Sequence, residues 1–165
     1  MNWYWNQGST PGYLDLTKTL AALRGSRVEW ESNVNWCFIP DFSSMNFTYQ
    51  VTTTATYGHN GINTVGWGDI AAAGCPGAAG CTRVESSGGT ITEADTRLDS
   101  SGTWSNVGAG NAADVQSVMA HESGHAIGFG HVSDSSEVMY TPIFLGDTSN
   151  RELGRGDADE DNSKY

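Results

Sequence analysis

The sequence predicts an α+β fold, because most of its strand-like segments come first along the chain and a helix follows them. Short runs rich in aromatic and β-branched residues, which favour strands, are spread over the first 98 residues around one helical segment. A second helical segment begins after a stretch rich in Gly, Ser and Asn. No internal repeat is visible, so a repeat architecture is not expected.

The first helix is predicted over residues 14–31. The apolar positions that recur at helical spacing are Leu16, Leu20, Leu23 and Trp30. Gly25 interrupts this pattern, but a helix tolerates a single glycine at modest cost.

Six segments are predicted to be strands from their aromatic, β-branched or alternating residues. They span residues 3–5, 36–39, 47–54, 62–67, 82–86 and 90–98. The second helix is then predicted to run to His125, with Asn111 or Asp114 as its N-cap.

The length and charge of the chain limit its organisation and its partners. A chain of 165 residues suits one domain with a good core, which we place at residues 1–165 and expect to be a monomer. The net charge of −11 disfavours nucleic acid and anionic membranes, because both are negatively charged. No stretch approaches the roughly 18 apolar residues of a membrane span, and the first residues lack the pattern of a signal peptide.

Three cysteines occur in two different settings. Cys75 and Cys81 bracket the loop CPGAAGC, whose Pro, Gly and Ala residues suit a small disulfide ring. Cys37 lies in the apolar run WCFI and is expected to be a buried free thiol. A disulfide favours an oxidising setting, so we expect a secreted, extracellular protein.

The segment HESGHAIGFGH, residues 121–131, carries the strongest chemical signal. His121 and His125 are four residues apart, so both imidazoles lie on one face of a helix and can reach a single ion. Gly128 can take the left-handed conformation that ends a helix and lets His131 return to the same ion. Glu122 follows the first histidine, where a carboxylate can activate a water without being a ligand.

Three neutral nitrogen ligands with one open position predict a catalytic zinc site, because structural zinc sites are closed by four protein ligands. The alternative is a surface helix whose histidines are coincidental. HExxH alone arises by chance, but this segment fixes five positions and holds three of the four histidines in the chain. The sequence therefore favours one zinc ion on His121, His125 and His131, with Glu122 as the general base.

HESGHAIGFGH matches the metzincin signature HExxHxxGxxH, and Val138-Met139-Tyr140 resembles the Met-turn of those peptidases. Thr141 stands where astacin-like and serralysin-like enzymes place a zinc-binding tyrosine, and Val132 stands where adamalysin-like enzymes carry aspartate. The short spacing from His131 to Met139 resembles the matrixins, the matrix-metalloproteinase family and its bacterial relatives.

Three further stretches resemble matrixin catalytic domains, namely DVQSVMAHESGH, ITEADTRLDSSGTW and ELGRGDADEDNSKY. In the third of them, Asp157 matches an aspartate that supports the Met-turn. The resemblance implies a twisted, mixed five-stranded sheet with one antiparallel edge strand, which we place at residues 82–86, and two long helices packed on it. It further implies a protein or peptide substrate extended along that strand, and a pocket wall formed by Tyr140 and residues 141–144 for the residue after the scissile bond.

The sequence also departs from the family pattern. Animal matrixins hold a second, structural zinc on three histidines and an aspartate, whereas His59 is the only histidine available upstream here. Calcium is possible, because Asp99 matches a matrixin calcium ligand. Residues 157–162 also carry alternating acids, but they lack the glycine of a calcium loop and favour a solvated acidic tail or a frayed end.

Two functions of other classes compete with a peptidase. One is a zinc-binding module without catalysis, for which Glu122 would have no use. The other is a zinc hydrolase that acts on a non-peptide amide or ester. A protease assay with and without a chelator separates the three.

Overall fold

A five-stranded sheet forms the framework of this computed structural model, which describes residues 1–32 and 35–165. Its strands are β1 (Asn2–Trp5), β2 (Thr48–Thr52), β3 (Asn63–Gly68), β4 (Gly80–Ser87) and β5 (Thr90–Asp99). Their spatial order is β2-β1-β3-β5-β4, with every neighbouring pair parallel except β4 and β5. The mixed sheet with one antiparallel edge strand is confirmed, and the edge strand is three residues longer than the predicted segment 82–86.

The hairpin of β4 and β5 has a well-defined register. Thr82 lies opposite Thr96 and Glu85 lies opposite Glu93, and the register shifts at a bulge between Glu85 and Ser86. Gly88 and Gly89 form the turn with φ angles of 60° and 82°. Positive φ at both central residues suits a tight hairpin turn, and glycine adopts it without a steric penalty.

Three helices accompany the sheet: α1 (Leu16–Glu31), α2 (Val115–Ala126) and α3 (Arg155–Lys164). The side chain of Asp15 caps α1 by accepting the N–H of Lys18 at 2.9 Å. Asp114 rather than Asn111 caps α2, because its carboxylate accepts the N–H of Ser117 at 3.0 Å. A short parallel pair, β6 (Trp104–Ser105) and β7 (Ala113–Asp114), leads into α2.

The core lies between the sheet and helices α1 and α2. Its fully buried side chains include Trp3, Trp5, Leu23, Trp30, Leu98 and Met119. Trp30 joins the two helices, because its indole N–H donates to the carbonyl of Ala120 at 2.9 Å and its ring stacks on Phe129. None of the helices in the described part of the chain has the length and apolar character needed to cross a membrane.

The predicted strand at residues 36–39 is wrong, since this segment belongs to no strand. Phe38 is 92% exposed and has a φ of 59°, which removes it from extended geometry. Trp36 is also exposed. The aromatic residues that suggested a strand therefore do not pack in a sheet. Cys37 is a free thiol as predicted, but it is half-buried rather than buried.

The C-terminal segment is ordered as helix α3, which corrects the expectation of a solvated or frayed acidic tail. Asp157 and Asp161 are buried on this helix rather than exposed in a loop. A helical backbone cannot wrap its alternating acids around one ion as a calcium loop does. The sequence did not predict the burial of this segment, because aspartates form part of the buried face of α3.

The predicted Cys75–Cys81 disulfide is present, with the two Cα atoms 5.9 Å apart. We expect an alkylating reagent to label one thiol, that of Cys37, in the unfolded protein without reductant, and three thiols after reduction. Intact-mass measurement gives the count directly. Labelling of all three thiols before reduction would contradict the bridge.

Candidate metal centre

The three histidines of the sequence motif come together at the end of α2. His121 and His125 extend from adjacent turns of that helix, and His131 returns to them from the following loop. The Nε2 atom of His131 lies 3.1 Å from Nε2 of His125 and 3.2 Å from Nε2 of His121. Three ring nitrogens therefore face one point in space.

Gly128 makes this return possible. Its φ of 89° lies in the left-handed region, and its N–H donates to the carbonyl of His125 at 2.9 Å. The N–H of Phe129 closes the turn by donating to the carbonyl of Gly124, also at 2.9 Å. The helix thus ends where glycine allows a reversal, and the chain turns back towards the two helical histidines.

Backbone carbonyls fix the orientation of two of the rings. Nδ1 of His121 lies 2.7 Å from the carbonyl of Val138, and Nδ1 of His125 lies 2.8 Å from the carbonyl of Phe129. A carbonyl oxygen can only accept, so Nδ1 carries the proton in each ring and Nε2 has a free lone pair. Burial lowers the pKa of His121 to about 4 and also lowers the pKa of His125, so both rings are neutral at pH 7.

These residues fit a tetrahedral zinc ion. Nitrogens bound to one zinc at 2.0–2.1 Å lie roughly 3.3 Å apart, close to the two Nε2 separations observed. The protonated Nδ1 atoms of His121 and His125 face backbone carbonyls, as the outward ring nitrogens of metal-bound histidines usually do. Three neutral imidazoles with converging lone pairs are a suitable ligand set for a divalent ion.

Glu122 lies beside the histidines on the same helix and is almost fully buried. Its Oε2 accepts the hydroxyl proton of Thr82, on the edge strand β4, at 2.6 Å. Burial raises the pKa of Glu122 to about 7, against the opposing effect of the Thr82 hydrogen bond. A carboxyl group whose pKa lies near neutrality can both accept and release a proton under ordinary conditions.

Gly80 leaves the space that this carboxyl group occupies. A Cβ atom at residue 80 would lie 2.5 Å from Oε1 of Glu122, closer than nonbonded atoms can approach. Sequence reasoning identified neither Gly80 nor Thr82, because both meet Glu122 only through the packing of β4 on α2 across about 40 residues of sequence. No local sequence pattern indicates such a contact.

Asp157 on α3 supports the chain beneath the histidines. Its carboxylate accepts the N–H of Val138 at 2.5 Å and that of Met139 at 3.3 Å. Burial raises the pKa of Asp157 to about 6, although these backbone donors act in the opposite direction. Because the carbonyl of Val138 contacts His121, Asp157 indirectly fixes one of the three rings.

Met139 is buried directly below the helix that carries the histidines. A Cβ atom at Gly124 would lie 2.2 Å from the sulfur of Met139 and 2.8 Å from the Trp30 ring. Only glycine at residue 124 lets the helix and this methionine pack so closely.

A cleft of about 690 Å³ opens over the three histidines. Its lining includes the disulfide ring, the start of β4, and Thr141, Pro142 and Ile143. The predicted wall at Tyr140 and residues 141–144 is therefore present at Thr141, Pro142 and Ile143, whereas neither Tyr140 nor the exposed Phe144 lines the cleft. Asp99, the candidate calcium ligand, accepts the N–H and hydroxyl of Ser101 in a local turn.

Comparison with known proteins identifies two similarities. A family model described as Matrixin matches residues 73–165, which is more than half of the chain. Human neutrophil collagenase is 37% identical over 65 residues, and this match covers 39% of the chain and 14% of that protein. The match therefore spans only a small part of the length of this relative. The residues matched by the family model include the segment that carries the three histidines.

Proposed function

Because this chain belongs to the matrixin family, we propose that it is a zinc-dependent endopeptidase in which His121, His125 and His131 hold the metal and Glu122 is the general base. The observation that carries the proposal is the convergence of three imidazole rings beside a buried carboxyl group, with Nε2 of His131 within 3.2 Å of Nε2 of both other histidines. We further propose that residues 1–165 form one catalytic domain, active outside the cell as a monomer on protein or peptide substrates.

Zinc bound here would polarise the scissile carbonyl and lower the pKa of the attacking water. Glu122 takes the proton from that water and passes it to the leaving amine. Its Oε2 is held by Thr82, and in the described part of the chain its Oε1 accepts no hydrogen bond. Oε1 is therefore the oxygen suited to the water. Val138-Met139-Tyr140 acts as the Met-turn, with Met139 as an apolar floor and Asp157 as its support.

The edge strand provides the means of binding an extended chain. β4 pairs with β5 on one side only, so the backbone groups on its other side are free to pair with a substrate. Arg83 and Glu85 place charge on this edge, which protects an open strand from aggregation. A substrate chain that runs antiparallel to β4 would pass over the three histidines. The residue after its scissile bond would then face Ile143.

A non-catalytic zinc module and a zinc hydrolase of small esters remain the rival functions. A pure binding site gains nothing from a buried carboxyl group beside the metal, since burial of that group costs free energy. A cleft bordered by an unpaired strand edge favours an extended polypeptide over a small ester.

One assay tests the proposal against both rivals. We expect the zinc-loaded protein to cleave internal bonds of casein, to lose this activity with a chelator and to regain it with added zinc. Mass spectrometry of the products distinguishes internal cleavage from removal of terminal residues. Zinc binding without cleavage would support the binding module, and cleavage of a simple ester but not of casein would support the small-substrate hydrolase.

A further inference from the structure

A second group of potential metal ligands lies at the far end of the β4–β5 hairpin. It consists of His59, from the segment between β2 and β3, Glu85 on β4 and Glu93 on β5. Nδ1 of His59 contacts Oε2 of Glu85 and lies 3.6 Å from Oε2 of Glu93. One ligand atom from each of the three residues lies within 4.8 Å of the others. None of the three lines the cleft above His121.

Glu93 is the most deeply buried residue of this cluster, and its side chain is only 5% exposed. Its Oε1 accepts the N–H of Asn60 and its Oε2 accepts that of Gly61, both at 2.9 Å. Each oxygen of Glu93 therefore keeps lone-pair capacity beyond its one backbone bond.

Glu85 and Glu93 are direct cross-strand partners in the antiparallel register. Their side chains therefore emerge on the same face, and two carboxylates directly opposite each other repel. Arg83 pairs with Oε1 of Glu85 at 2.5 Å. In the described part of the chain, Glu93 forms no ion pair with any Lys or Arg. The paired carboxylates thus lack a full counter-charge, and the imidazole of His59 lies beside both of them.

From this geometry we propose that His59, Glu85 and Glu93 form a second divalent-cation site, with zinc as its preferred ion. One imidazole nitrogen and two carboxylates are ligands that zinc accepts together, whereas calcium takes oxygen ligands only. A divalent ion balances the two carboxylate charges. The side chain of His59 is 75% exposed, so water can complete the coordination. The site stands on these three residues and does not depend on the proposed peptidase activity.

An ion at this position would link three separate parts of the chain. The segment that contains His59 would be joined to both strands of the hairpin, close to the bulge that follows Glu85. Because β4 is the edge strand that borders the cleft, the ion would stiffen the end of that edge remote from Thr82. We expect the ion to stabilise the hairpin and to take no part in a reaction.

Zinc stoichiometry tests the proposal, by equilibrium dialysis of the full chain against micromolar free zinc followed by metal analysis. We expect two zinc ions per unmodified chain and one per chain of His59→Ala or of Glu85→Gln. The exposed Glu160 offers a matched control, and Glu160→Gln should keep two. Added zinc should also raise the melting temperature of the unmodified protein more than that of His59→Ala.

The counts separate this site from the proposed catalytic centre. If only the centre on His121 exists, the unmodified chain and His59→Ala both bind one zinc ion, and the second site is refuted. If only the second site exists, the unmodified chain binds one and His59→Ala binds none. Two ions in both proteins would place the second ion elsewhere and would equally overturn the assignment to His59.

Discussion

Glu122→Gln is expected to lower kcat/KM for a peptide substrate by about 10²–10⁴-fold, the usual contribution of a general base. Glutamine has nearly the same size as glutamate, and its carbonyl oxygen can still accept the hydrogen bond of Thr82. The amide cannot take a proton from water, so the substitution removes the base while leaving the packing in place. The three histidines are unchanged, and zinc content should therefore stay at the value of the unmodified protein.

Steady-state kinetics with a fluorogenic peptide, together with metal analysis of the same sample, measures both effects. The exposed Glu160→Gln removes the same charge at a distance from the cleft and should leave kcat/KM unchanged. Glu122→Gln should also melt at or above the temperature of the unmodified protein, because an amide avoids the cost of a buried ionised carboxylate. A variant with full zinc and near-normal turnover would assign the base to another group.

Local sequence patterns were sufficient for most of the framework. The spacing of Leu16, Leu20, Leu23 and Trp30 predicts a helix over 14–31, and α1 spans Leu16–Glu31. Alternation over residues 90–98 predicts β5, which has these residues and Asp99. Both patterns arise from the burial of one face of an element, and that burial leaves a period in the sequence. The order and direction of the strands came from the family resemblance instead.

The failures occur where a local pattern does not reflect burial. The WCFI run has strand-like composition, yet it forms no strand, and Phe38 is exposed with a φ of 59°. The acidic C-terminal segment appears solvated, yet Asp157 is buried because backbone N–H groups of the chain near Met139 satisfy its oxygens. Composition encodes neither the exposure of Phe38 nor the hydrogen bonds of Asp157 with the backbone of Val138 and Met139.

The candidate site was also only partly predictable from local sequence patterns. The spacing of the histidines and Gly128 is local, so the motif predicts the convergence that the structure displays. The position of Glu122, the proposed base, also depends on Thr82 and Gly80, which lie about 40 residues upstream and reach it through sheet packing. Through these two residues the edge strand also shapes the space around the Glu122 carboxyl group.

Gly80→Ala is accordingly expected to lower kcat by up to about 10²-fold while zinc binding and folding are retained. The added Cβ would lie 2.5 Å from Oε1 of Glu122 and 2.8 Å from its Cδ, so the carboxyl group must move. A displacement of about 1 Å in a reacting group can reduce a rate by this factor. Gly80 has no positive φ, so alanine fits the backbone there and the effect should come from contact with Glu122 alone.

Gly110→Ala provides the matched control, because a Cβ atom at residue 110 meets nothing within 4 Å and the backbone there has no positive φ. Its kcat should equal that of the unmodified protein. Combining Gly80→Ala with Glu122→Gln should reduce kcat little beyond Glu122→Gln, because the alanine acts by displacing a base that the second substitution has already removed. Additive losses in the double variant would mean that Gly80 serves the reaction by some route other than the position of Glu122.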